Sequence, residues 1–130
     1  METHMQDRRL LIVDDEDVLR TSLEINFKSG GFNVKTAASG ESVMELVHGF
    51  SPMVILLDLR LPCMDGISVL KQIGKANLDI NVIIMTAYGD TQTTVEAVKC
   101  GAYNFINKPF ELEELEALVH NAFENIELKR

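Results

Sequence analysis

Met53-Val54-Ile55-Leu56-Leu57 is an unbroken apolar run that stops at Asp58. A short continuous run of this kind reads as a strand buried on both faces, as in a parallel sheet covered by helices. Pro62 and Asp65-Gly66 follow, and they mark a turn before a helix. Asp58 then stands at the carboxyl end of a central strand, the edge where open α/β sheets collect ligands and chemistry.

The flanking sequence repeats the pattern. Leu10-Leu11-Ile12-Val13 runs into Asp14-Asp15-Glu16-Asp17. Val18, Leu19, Leu23 and Phe27, with Ile25 beside them, have helical spacing, and Gly30-Gly31 stops that helix. Phe32 to Ala37 reads as a second strand. Ser39-Gly40 opens a helix carrying Val43, Met44, Leu46 and Val47, with its stop at Gly49. The helix after Gly66 carries Val69, Leu70 and Ile73. Val82 to Met85 is a fourth strand, ending at Thr86-Ala87. Asp90 or Thr91 caps a helix through Val95 and Val98, closed by Gly101. Tyr103 to Ile106 is a fifth strand, ending at Asn107-Lys108-Pro109, and a last helix begins near Glu111. Five strands alternating with five helices predict an α/β fold, doubly wound, with helices on both faces of a parallel sheet.

A chain of 130 residues suits one domain with a real core. Its net charge of -8 argues against binding nucleic acid through the general surface. No apolar run is long enough to span a bilayer, and no basic start leads into an apolar signal core. Cys63 and Cys100 have no metal-ligand spacing and read as free thiols of a reducing, cytoplasmic compartment. Residues 1–8 are expected to be a disordered or vector-derived start. His4, His48 and His120 fit no catalytic or metal pattern.

Four of the five strands end in a functional group: Asp14-Asp15, Asp58, Thr86 and Lys108. A parallel sheet places all these ends on one edge. Clustered carboxylates raise each other's pKa unless a cation sits among them. One lysine is little compensation, and an all-oxygen set suits Mg²⁺. Metal and lysine would neutralise phosphoryl oxygens while Thr86 donates a hydrogen bond to another, which is most of what phosphoryl transfer needs. Asp58, between the acidic pair and the Thr86/Lys108 side, is the best-placed nucleophile for an acyl phosphate.

Four segments carry a resemblance: Ile12-Val13-Asp14-Asp15-Glu16, Leu57-Asp58-Leu59-Arg60-Leu61-Pro62 with Met64-Asp65-Gly66, Met85-Thr86-Ala87, and Asn107-Lys108-Pro109-Phe110. In this order and spacing the chain resembles the receiver domain of a two-component response regulator. Met85 to Asp90 and Ala97 to Phe105 look most like the NtrC-type subgroup. The resemblance implies a flavodoxin-like five-stranded sheet of order 2-1-3-4-5, with residues 9–123 as the receiver domain. Residues 124–130 would end the last helix and start a linker to an output domain. Members of the subgroup usually continue into ATPase and DNA-binding domains, and this chain stops at Arg130 before either.

The resemblance also implies that Asp58 accepts a phosphoryl group from a histidine kinase. Asp14 and Asp15 would surround Mg²⁺, with Asp15, Asp58 and the main-chain carbonyl of Arg60 as direct ligands. Thr86 and Lys108 would bind the phosphoryl group, the Lys108-Pro109 bond would be cis, and Thr86 with Phe105 would form the switch. Arg60 and Tyr88 flank the approach of hydrolytic water, which predicts a long-lived phosphorylated state. The implied role is regulatory, with only slow autodephosphorylation, and in transcriptional signalling. A homodimer is expected through the last helices, with Ile126 reaching past the sheet, or through the face of the fourth helix, fifth strand and fifth helix. Neither a membrane nor nucleic acid is an expected partner of this domain.

Three rivals are weighed against this reading. A flavin carrier on the same fold needs a first loop that holds phosphate, and four successive acids would repel it. A Mg²⁺-dependent aspartyl phosphatase commonly has an acid two residues after its nucleophile, where this chain has Arg60. A receiver used only for docking would not need the full set of acids with Thr86 and Lys108.

Overall fold

In a computed structural model the described residues are 7–61, 64–76, 79–87 and 90–129. The sheet contains β1 (Arg9–Val13), β2 (Asn33–Ala37), β3 (Val54–Asp58), β4 (Asn81–Ala87) and β5 (Asn104–Lys108). All pairings are parallel and the order is β2-β1-β3-β4-β5. The helices are α1 (Asp17–Ser29), α2 (Val43–Phe50), α3 (Gly66–Lys75), α4 (Thr91–Lys99) and α5 (Leu112–Lys129). This is the doubly wound, flavodoxin-like arrangement expected from the sequence.

The apolar runs divide by alternation, since successive side chains of a strand point to opposite faces. Leu10, Ile12, Val54, Leu56, Ile83 and Met85 meet α1 and α5 through Leu23, Phe27, Leu115, Val119 and Phe123. Leu11, Val13, Ile55, Leu57, Val82 and Ile84 meet α2, α3 and α4 through Val43, Val47, Val69, Leu70, Ile73 and Ala97. Each fully buried Leu or Ile contributes about 1.5–3 kcal/mol. These two layers fix the register of β1, β3 and β4, and with it the edge where the acids emerge.

Several local expectations change. The segment after Ser39 begins with a 3-10 turn, Gly40–Ser42, before α2. Helix α2 runs past Gly49 to Phe50, and Ser51 after it takes the left-handed conformation at φ 53°. Val18 and Ile25 are exposed on α1, where Leu23 and Phe27 face the core. On α4 the buried residues are Thr94 and Ala97, and Val95 and Val98 lie outside. Ile126 does not reach beyond the sheet: it is 0% exposed within the core, and Leu128 is the exposed apolar residue at that end.

Arg8 carries structure that its sequence neighbourhood does not announce. It is buried, forms a two-pronged pair with Glu127 at 2.9 and 2.8 Å, and lies over the Phe123 ring. Its guanidinium also approaches His120 Nδ1 at 3.3 Å. This cluster ties the entrance of β1 to the last turns of α5.

Candidate functional site

The strand register builds the site. Val13 pairs with Leu57, so Asp14 and Asp58 leave the sheet side by side. On the other flank Asp58 pairs with Met85, Thr86 with Asn107 and Ala87 with Lys108. Asp14 and Asp58 are both buried, and Asp15 is exposed in the loop that follows.

Lys108 joins the two flanks. Its Nζ donates to Asp14 Oδ2 at 2.7 Å and to Asp58 Oδ2 at 3.1 Å. The second oxygen of each acid takes a main-chain N–H: Glu16 N–H donates to Asp14 Oδ1 at 2.8 Å, and Arg60 N–H to Asp58 Oδ1 at 3.0 Å. The Lys108-Pro109 peptide bond is cis. Arg20 holds the acidic loop from outside, donating to the Asp14 carbonyl and pairing with Asp17.

Burial pushes the Asp58 carboxyl above the ordinary aspartate range, and the Asp14 charge adds to this. The Arg60 N–H and the Lys108 ammonium pull it down without prevailing. For Lys108 burial acts downward, but the hydrogen bond to Asp14 and the charges of Asp58 and Asp14 outweigh it and raise the ammonium's pKa. The site therefore holds more negative charge than its one lysine offsets.

One carboxylate oxygen each from Asp14, Asp15 and Asp58 lies within 4.8 Å of the others. Hard oxygen donors, one of them exposed to water, fit a small divalent cation that keeps part of its hydration shell. The Arg60 side chain points elsewhere: it forms a two-pronged pair with Asp90 at 2.9 and 2.7 Å. Sequence reasoning assigned Asp90 only a capping role, yet its carboxylate makes no capping hydrogen bond to α4.

Thr86 is buried, with its hydroxyl 3.3 Å from that of Thr94. The Thr94 hydroxyl donates to the Asp90 carbonyl at 2.8 Å. Thr94 was missed in the sequence because a threonine in an amphipathic helix carries no local mark of this contact. Phe105 is 41% exposed, beside a cavity of about 560 Å³ lined by Thr94, Val95, Val98 and Asn107. Tyr88 and Cys63 lie outside the described residues.

Gly66, at the start of α3, makes a close approach to the end of β3. Gly66 N–H donates to the Leu59 carbonyl at 3.0 Å, and a Cβ at Gly66 would stand 2.7 Å from the Asp58 carbonyl oxygen. Asp65 caps α3 by accepting from Ser68 N–H at 2.8 Å. Aspartate before glycine is thus needed for two reasons: a cap, and a backbone that can pass the end of β3.

Residues 10–120 match the family model described as the response regulator receiver domain. The chain is 41% identical over 122 residues to the regulatory protein AtoC of Escherichia coli, covering 94% of this chain and 26% of that protein. It is 38% identical over 118 residues to the transcriptional regulator NtrC of the same organism, covering 91% and 25%. The chain thus spans about a quarter of the length of these relatives. Among solved structures, a response regulator receiver domain protein from Clostridium thermocellum superimposes with a TM-score of 0.86 at 27% identity, over 94% of this chain and 98% of that one. With the fold, the acid cluster and these matches together, the chain belongs to the response regulator receiver domain family, and its curated relatives include NtrC-type regulators.

Proposed function

We propose that the domain is a Mg²⁺-dependent phosphoacceptor, in which Asp58 takes a phosphoryl group from a histidine kinase. The observation that carries this reading is the buried Asp58 carboxylate held between Arg60 N–H and Lys108, within 4.8 Å of the Asp14 and Asp15 oxygens. Asp14, Asp15, Asp58 and the main-chain carbonyl of Arg60 would hold the metal. When bound, Mg²⁺ supplies charge neutralisation for the carboxylates and the incoming phosphoryl oxygens.

The residues of the chain do the rest. An Asp58 carboxylate oxygen attacks phosphorus, and the bond to the donor's imidazole nitrogen breaks. The electron pair leaves with that nitrogen, which takes up a proton, and Asp58 becomes an acyl phosphate. Lys108 holds Asp58 in place and then pairs with a phosphoryl oxygen. Thr86 leaves Thr94 and donates its hydroxyl to another oxygen. Phe105 turns inward into the space that Thr86 vacates, and α4, β5 and α5 carry the change outward. Such a switch works only if the phosphoryl group binds the rearranged state more tightly.

The proposed role is regulatory and cytoplasmic, with residues 9–123 as the receiver and 124–130 leading to an output segment. Among the described residues no helix is long and apolar enough to cross a membrane. A homodimer through the α4-β5-α5 face or the α5 helices remains part of the proposal, without Ile126 in the contact. Incubation with acetyl phosphate tests the chemistry. Intact-mass spectra are expected to show one added phosphoryl group that requires Mg²⁺ and is absent from Asp58→Asn. Normal labelling of that variant would overturn the assignment.

A further inference from the structure

Arg60 is attached to the site at both ends. Its main-chain N–H donates to Asp58 Oδ1 at 3.0 Å, and its guanidinium grips both carboxylate oxygens of Asp90. The side chain is 71% exposed, so packing does little to hold it there. Asp90 is the residue before α4, yet its carboxylate makes no capping bond to that helix and is directed at Arg60 instead. Its carbonyl accepts from Thr94, whose hydroxyl is 3.3 Å from that of Thr86.

A guanidinium presents one planar fork, matched equally to a carboxylate or to phosphoryl oxygens. A phosphoryl group on Asp58 would bring about -1.5 to -2 charges and three acceptor oxygens next to the residue that anchors Arg60's main chain. Two acceptors then face one fork. We propose that Asp90 is a positioning residue for phosphoryl binding at Asp58, holding the Arg60 guanidinium at the rim of the site in competition with the phosphoryl oxygens. This rests on the reading of Asp58 as the acceptor. It adds a second connection between the acceptor and the start of α4, independent of Thr86. When Arg60 turns to the phosphoryl group, Asp90 is released, and with it the end of α4 that carries Thr94.

The test is a double-mutant cycle read with beryllofluoride in Mg²⁺, its binding followed by fluorine NMR. Removing the competitor in Asp90→Asn is expected to tighten binding about two- to fivefold, the range open to an exposed ion pair. In an Arg60→Gln background the same change is expected to do nothing. Melting temperatures of all four proteins separate a folding defect from an affinity change. Unchanged or weaker binding by Asp90→Asn would overturn the proposal. So would a gain that persists without Arg60, since that would be simple charge repulsion by Asp90. A parent protein that binds beryllofluoride while the cycle shows no coupling rejects this inference alone. A folded parent that binds none rejects the reading of Asp58 as well.

Discussion

Replacing Gly66 with alanine tests the link between the end of β3 at Asp58 and the start of α3 behind it. The added Cβ would meet the Asp58 carbonyl oxygen and the Leu59 Cα, each at 2.7 Å. Both are backbone atoms of a buried strand end, about 0.7 Å short of an ordinary 3.4 Å contact. Forcing such an overlap costs about 1–3 kcal/mol, while alanine's better helix propensity returns about 0.5–1 kcal/mol. A net loss of roughly 0–2.5 kcal/mol follows, centred on about 1 kcal/mol. With a urea m-value of about 1–3 kcal/mol per M, a loss of about 1 kcal/mol lowers the unfolding midpoint by roughly 0.3–1 M. The control is Gly74→Ala in the same helix, where an added Cβ meets nothing within 4 Å. That variant is expected to be more stable than the parent by about 0.5 kcal/mol. Labelling by acetyl phosphate should be slowed in Gly66→Ala and unchanged in Gly74→Ala. Equal stability of the two variants would refute the need for glycine where the chain passes close to the end of β3.

Other expectations follow from the charges. Because Asp58 is raised above its unfolded value of 3.8, the native protein binds its proton more tightly than the unfolded chain. Stability contributed by this group therefore falls as pH rises from 3.8 through the native value, and ionised Asp58 is a burden at neutral pH. Without metal, Asp58→Asn should melt higher than the parent at neutral pH, with the difference shrinking as the pH falls toward 3.8. Lys108, raised above 10.5, stabilises the fold below that pH and ceases to do so as pH climbs through its native value. Thermal melts with Mg²⁺ at about tenfold its dissociation constant should show a gain of about 1.4 kcal/mol, reversed by a chelator, and Asp15→Asn should lose most of it. Arg8→Ala removes the two-pronged pair with Glu127 and the contact over the Phe123 ring, and should cost about 1.5–3 kcal/mol in urea titration.

The layout of the sheet was readable because buried parallel strands write themselves as continuous apolar runs. Leu10–Val13, Val54–Leu57 and Val82–Met85 all became central strands, and their ends carried the acids, Thr86 and the path to Lys108. The helices were less legible. Helix α4 was expected where it lies, but it packs through Thr94 and Ala97, two small residues that its exposed valines do not point to. On α1, Val18 shares the helical spacing of Leu23 and Phe27 yet is exposed. Contacts between distant side chains left no sign in the sequence. Arg8 meets Glu127 across 119 positions, and Arg60 meets Asp90 across 30. Nothing in the local pattern of either arginine distinguishes it from a solvated charge. Ile126 was misplaced because how far α5 runs along the sheet is set by tertiary contacts: Arg8 pairs with Glu127 and lies over Phe123, and Ile126 lies in the core between Phe123 and Glu127 in sequence.

The central claim is that Asp58, and neither of the acids beside it, receives the phosphoryl group. Reduction of the phosphorylated protein with borohydride converts an aspartyl phosphate to homoserine, and peptide sequencing by mass spectrometry then locates it. Homoserine is expected at position 58 alone, formed only when Mg²⁺ was present during labelling. Homoserine at Asp14 or Asp15, or labelled protein with none at position 58, would contradict it.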